Sequence, residues 1–135
     1  MAYILDTDTC IMLIRGRSPS SLTRLKQCQV GTVGISSITL AELQYGVAKS
    51  LEPSRNQAAL LEFCAPLNIL DFGLSASSAY GEIRSKLESK GNSIGPLDTL
   101  IAAHALSISA TLVTNNEKEF RKITGLKVEN WHKGG

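Results

Sequence analysis

The sequence predicts an α/β fold with a mostly parallel central sheet of about four or five strands and helices on both of its faces. Three observations carry this. Short apolar runs rich in β-branched residues recur along the chain, stretches with apolar positions three and four residues apart lie between them, and Gly, Pro and Ser mark the junctions. Strands that alternate with helices connect most simply as parallel crossovers.

The first strand spans Ala2 to Leu5. After Asp6 the pattern turns helical, with Cys10, Leu13 and Ile14 on one face. "RGRSPSS" (15–21) breaks that helix, and a second runs from Ser20 to Gln27. "TVGIS" (32–36) reads as a short buried strand. Leu40, Leu43 and Val47 give helical spacing between Ile38 and Lys49, and a further helix opens after Pro53, so the two form a helical hairpin. "LNILDF" (67–72) is the third strand. A long helix from about Ser75 to Lys90 carries Ile83 and Leu87 on one side and ends at Gly91, which suits the left-handed turn after a helix. Pro96 opens an alanine-rich helix through Ile108. "TLVT" (111–114) is a strand, "NNEKEF" starts a short helix, and "LKVENW" supplies a last strand.

A chain of 135 residues forms one domain, 1–135, and buries a core without disulfides or structural metals. Charged residues are 19% and apolar ones 43%, which excludes disorder. The net charge of +2 neither requires nor excludes a nucleic-acid partner. No apolar run reaches bilayer-spanning length and no leader pattern opens the chain, so a cytoplasmic protein is expected. Cys10, Cys28 and Cys64 lack C-x-x-C spacing and read as buried thiols of a reducing compartment.

In open α/β sheets ligands bind beyond the carboxyl ends of the strands. That rule selects a few of the twelve acids. Asp6 and Asp8 follow the first strand, Glu42 lies in the helix after "TVGIS", Asp98 lies in the first turn of the helix leading into "TLVT", and Asn116, Glu117 and Glu119 follow it. If these elements share one sheet, the carboxylates converge, and they stay ionised together only beside a cation. Hard oxygen donors select Mg²⁺ or Mn²⁺, which suits phosphodiester hydrolysis.

Each acid also has a plain structural reading. Thr39 and Glu42 match a capping box, Asn116 and Glu119 a looser one, and Asp98 favours a helix N-terminus. Asp8 reads as the cap of the helix that follows it. Asp6, directly after an apolar strand, has no such explanation.

Four blocks, "ILDTD", "ISSITLAELQYG" (35–46), "IGPLDTLIAAHA" (94–105) and "LVTNNEKEF" (112–120), occur in an order that resembles PIN-domain ribonucleases, closely the VapC toxins of type II VapBC toxin–antitoxin pairs. The resemblance implies a PIN-like domain in which Asp6, Glu42 and Asp98 are metal carboxylates. Asn116 stands where many relatives carry aspartate, so the fourth ligand falls to Glu119 or Asn116, with Glu119 favoured. Thr114 and Ser37 orient ligands or water, and Asp8 is at most auxiliary.

It further implies Mg²⁺- or Mn²⁺-dependent cleavage of single-stranded RNA, typically tRNA and often the anticodon loop of initiator tRNA, with arrest of translation. A VapB-type antitoxin that covers the groove, operator DNA bound only through that antitoxin, and a homodimer belong to the same expectation. No histidine base is needed: His104 reads as an interior or helix-surface residue, and His132 lies near a mobile terminus. Arg15 and Arg17 are candidate phosphate contacts, whereas Arg84, Lys86 and Lys90 read as a solvated helix face. Aromatic residues are only 5% of the chain, which favours shape over stacking in RNA recognition.

Two readings compete. "DTDT" resembles the D-x-D signature of haloacid-dehalogenase-type phosphatases, but no later acid pair follows Thr114. A PIN-like module without metal, serving only in interactions, is the other; Asn116 favours it and Asp6, Glu42 and Asp98 oppose it.

Overall fold

The structure, a computed structural model, describes residues 1–132. Strands β1 (Tyr3–Leu5), β2 (Val33–Ser36), β3 (Asn68–Leu70), β4 (Thr111–Val113) and β5 (Val128–Glu129) form one sheet in the order β3-β2-β1-β4-β5, with every pair parallel. The chain therefore builds outward from β1 to one side and then to the other, which leaves a switch point at the carboxyl end of β1. Leu5 pairs with Val113, and the Asp6 N–H donates to the Val113 carbonyl at 3.0 Å, so the ladder holds the backbone as far as Asp6.

The helices are α1 (Thr7–Ile14), α2 (Pro19–Gln27), α3 (Ser37–Ala48), α4 (Pro53–Cys64), α5 (Leu74–Ser89), α6 (Pro96–Ser107) and α7 (Glu117–Phe120). Successive strand residues point to opposite faces. Ile4 and Leu112 accordingly pack with Ile83, Leu87, Ile101 and Phe120, while Leu5 and Val113 pack with Cys10, Leu43, Leu60 and Trp131. Both faces are covered, as the sequence predicts. Helix α6 buries Ile101, Ala102, Ala103 and Ala105 together, and its small side chains let it lie close to its neighbours.

Local signals act where expected. Proline opens α2, α4 and α6, and Gly91 with φ +67° closes α5. At Gly34 a Cβ would lie 2.8 Å from the Asn68 carbonyl oxygen, so the pairing of β2 with β3 requires glycine there. α3 and α4 pack as the expected hairpin.

The outer strands are shorter than their sequence runs, β3 covering Asn68–Leu70 and β5 Val128–Glu129. The end of the described chain is not loose. Trp131 is buried, meets Tyr3 edge-on with ring centroids 5.2 Å apart, and donates to Glu129 at 2.9 Å. Arg24 pairs with Glu129 at 3.1 Å and lies over the Trp131 ring, while His132 Nδ1 is 2.9 Å from Ser18 Oγ. These contacts tie the segment to α2, and the terminus expected to be mobile beyond His132 lies outside the described residues.

Candidate active site

Asp6 follows β1 and is almost completely buried. Its Oδ1 accepts the Thr9 backbone N–H at 2.9 Å, so Asp6 is the N-cap of α1. Asp8, expected to be that cap, lies instead in the first turn of the helix; the strand ends one residue before Asp6, which puts Asp6 at the capping position. Burial pushes the Asp6 carboxyl up from its ordinary value, hydrogen bonds from Thr114 and Thr9 pull it back down, and the charge of Asp8 adds to the upward push.

Glu42 sits in the second turn of α3. The capping-box reading of Thr39 and Glu42 fails here, because Ser36 caps the helix by accepting the Ile38 N–H at 3.1 Å. Glu42 turns to α1: its Oε1 lies 2.6 Å from the Thr7 hydroxyl, which is also 3.3 Å from the Thr39 hydroxyl. Thr7 is a site residue that sequence reasoning missed. Its signal was its place beside Asp6, at the first position of a helix that crosses α3.

Asp98, in the first turn of α6, is pushed up to about 6, first by burial and then by the charges of Asp6, Asp8, Glu42 and Glu119. Those four acids come from α1 and its cap, α3 and α7, so the structure brings Asp6, Glu42, Asp98 and Glu119 into one field, with Asp8 at its edge. Glu119 also pairs with Lys122 at 3.2 Å. Asn116 stands at the N-cap of α7 but makes no side-chain cap bond; Thr114 Oγ1 accepts the Asn116 backbone N–H at 2.9 Å instead.

Other expected residues are engaged elsewhere. Ser37 Oγ accepts the Phe72 N–H at 3.1 Å and so holds the segment after β3. His104 is buried, with Nδ1 2.8 Å from Ser36 Oγ and an edge contact to Phe72. Burial lowers its pKa and Asp71 works weakly against that. Arg84 pairs with Glu88 and meets Tyr80 on an exposed helix face. Arg15, by contrast, lines a cleft of about 470 Å³ that includes Asp8, Glu42 and the exposed Tyr45. Cys10, Cys28 and Cys64 are free thiols.

The donors here are carboxylate oxygens with an amide and hydroxyls beside them, a hard set that fits Mg²⁺ or Mn²⁺. Among the described residues no three acidic, histidine or cysteine side chains close into a ready-made metal cage. The arrangement fits an open site completed by water and substrate oxygens, which is how Mg²⁺ is commonly held.

The chain is similar to known proteins along almost its whole length. A family model described as the PIN domain matches residues 3–126. "Ribonuclease VapC2" of Rickettsia felis is 48% identical over 134 residues, covering 98% of this chain and 100% of the relative. "tRNA(fMet)-specific endonuclease VapC" of Salmonella typhimurium is 41% identical over 131 residues, covering 97% and 98% respectively. Among solved structures, VapBC2 from Rickettsia felis bound to a DNA fragment from its promoter superposes with a TM-score of 0.92 at 47% identity, over 97% of this chain and 99% of that one. The phosphatase reading of Asp6 and Asp8 is thereby set aside. The chain belongs to the PIN-domain family and, within it, to the VapC group.

Proposed function

We propose that this protein is a metal-dependent, single-strand-specific endoribonuclease, the toxin of a toxin–antitoxin pair, which cuts tRNA in the anticodon loop of the initiator species and arrests translation in the cytoplasm. The observation that carries the reading is the convergence of Asp98 with Asp6, Asp8, Glu42 and Glu119, whose charges add to burial in pushing its carboxyl up to about 6. So much negative charge at the carboxyl end of a parallel sheet calls for a divalent cation. The names of the relatives add the substrate class, and the VapBC complexes add a VapB-type antitoxin, through which alone the toxin meets operator DNA. A homodimer completes the assembly. Among the described residues no helix is long and apolar enough to cross a membrane.

Asp6, Glu42, Asp98 and Glu119 would hold the cation, with Asn116 as an outer contact. When bound, Mg²⁺ or Mn²⁺ lowers the pKa of an attacking water and offsets charge at the scissile phosphate. The chain's own part is to orient these groups. Hydrogen bonds from Thr114 and Thr9 work against the upward push of burial on the Asp6 carboxyl, and the N-terminus of α1 fixes its rotamer. His104 faces Ser36 and takes no part as a base. The products carry 5′-phosphate and 3′-hydroxyl ends.

The test is to incubate purified protein with initiator and elongator tRNAs in Mg²⁺ or in EDTA and to map the new ends. Cleavage in the initiator anticodon loop, lost in EDTA and in Asp98→Ala, is expected. Cutting at the parent rate in EDTA or by Asp98→Ala would overturn the reading. The neutral amide of Asn116 beside the carboxylates favours a second reading, a metal-free interaction module. Calorimetric titration with Mn²⁺ separates the two, since the module takes up none.

A further inference from the structure

Thr7 Oγ1 lies 2.6 Å from Glu42 Oε1 and 3.3 Å from Thr39 Oγ1. A hydroxyl has one proton and an ionised carboxylate only accepts. The Thr7 proton therefore goes to Glu42, at the short distance usual for a hydroxyl on a charged acceptor, and the Thr39 hydroxyl donates to Thr7. Thr39 is fully buried, so its hydroxyl must find a partner inside the protein. The result is a directed chain from Thr39 through Thr7 to Glu42.

We infer that Thr7 is the positioning residue of the site: with Thr39 behind it, its hydroxyl holds Glu42 through Oε1 and so orients that carboxylate for a cation. Thr7 is the first residue of α1 and adjoins Asp6, whereas Thr39 and Glu42 lie one turn apart on α3. The chain thus sets the separation of the Asp6 and Glu42 carboxylates through a single hydroxyl. This inference rests on the metal-dependent reading proposed above.

The experiment compares Thr7→Val, which keeps the shape and removes the hydroxyl, with Thr7→Ser, which restores it. Mn²⁺ is titrated into each purified protein by calorimetry, and RNA cleavage is followed against Mn²⁺ concentration. Thr7→Val should weaken Mn²⁺ binding roughly ten- to a hundredfold, as loss of an outer-shell partner does, with parent-like melting. The Mn²⁺ needed for half-maximal rate should rise equally while the KM for RNA stays put. Thr7→Ser should return both to about the parent values.

Parent-like Mn²⁺ binding by Thr7→Val overturns the inference and leaves the nuclease reading intact. If Thr7→Val does not fold, Thr39→Val against Thr39→Ser decides it: weaker binding in the valine variant alone supports the relay, and equal binding overturns it. A parent that takes up no Mn²⁺ overturns the nuclease reading and the relay together.

Discussion

The Asp6 carboxylate and the Thr9 backbone N–H lie 2.9 Å apart, so the acid that faces the other carboxylates is also the residue that starts α1. Its two duties separate by substitution. Asp6→Asn keeps an acceptor for the cap and removes the buried charge, whereas Asp6→Ala removes both. In EDTA, urea denaturation should find Asp6→Asn at least as stable as the parent and less costly than Asp6→Ala, which loses a cap of about 1 kcal/mol. Both should lose Mn²⁺ uptake and RNA cleavage. Parental cleavage by Asp6→Asn would remove Asp6 from the site.

Asp98 sets a pH dependence. Its carboxyl titrates at about 6 in the folded chain, above the ordinary 3.8, so the folded state holds its proton more tightly. The stability that this confers is present at low pH and is lost as pH rises from about 4 through about 6. Asp98→Asn stays neutral throughout. In EDTA its melting temperature should gain on the parent's by about 3 °C between pH 4.5 and 7.5. A constant gap across that range would show that Asp98 is not crowded by charge.

His104 has the opposite sign. Burial lowers its pKa, so the stability of the neutral ring is present above its ordinary pKa and fades as pH falls below it. The geometry suits a neutral ring that accepts the Ser36 proton, since Ser36 Oγ already accepts the Ile38 N–H. His104→Phe leaves that hydroxyl unmatched and should cost about 1–3 kcal/mol at pH 7.5, measured by urea denaturation. At pH 5 the cost should shrink. An equal cost at both pH values would assign the loss to packing alone.

Glu119 and Asn116 can be told apart. Glu119 contributes its charge to the field at Asp98, whereas the backbone of Asn116 is held by Thr114. Glu119→Gln should weaken Mn²⁺ binding by about tenfold, a loss of the size that metal-site partners cause, and Asn116→Ala should do less. The reverse order would make Asn116 the fourth ligand.

Trp131 is the single tryptophan of the chain and reports on the tied C-terminal segment. Its replacement by alanine should destabilise by about 3–5 kcal/mol in chemical denaturation, in line with loss of a buried aromatic. Trp131→Phe keeps the contact with Tyr3, loses the hydrogen bond to Glu129, and should cost less than half as much. Equal losses would locate the effect in that hydrogen bond.

Most of the fold was legible because periodicity changes sharply along the chain: β-branched runs at 32–36 and 111–114 stand against helices opened by Pro53 and Pro96. Strand ends were less legible, since the lengths of β3 and β5 depend on a neighbour far away in sequence. At the site, the rule for strand ends narrowed the acids to Asp6, Asp8, Glu42, Asp98, Glu117 and Glu119, and the family resemblance, not the rule, implied Asp6, Glu42, Asp98 and Glu119 among them. The rule did not say which acid caps α1, because that depends on where the β1 ladder stops. Thr7 was invisible for a related reason: its partners lie on α3, and only the packing of α1 across α3 brings them within a hydrogen bond. The burial of Tyr3 against Trp131 likewise joins opposite ends of the chain, which no local pattern reveals.

The central place of β1 has a consequence for how the protein comes into being. This strand lies between β2 and β4, and its second partner, Thr111–Val113, is made long after β1 itself. Contacts so distant in sequence close late. A growing chain still on the ribosome therefore carries Asp6 without Asp98 or Glu119 beside it. The full set of carboxylates comes together only after α7 has been made, and a shorter nascent chain lacks the site.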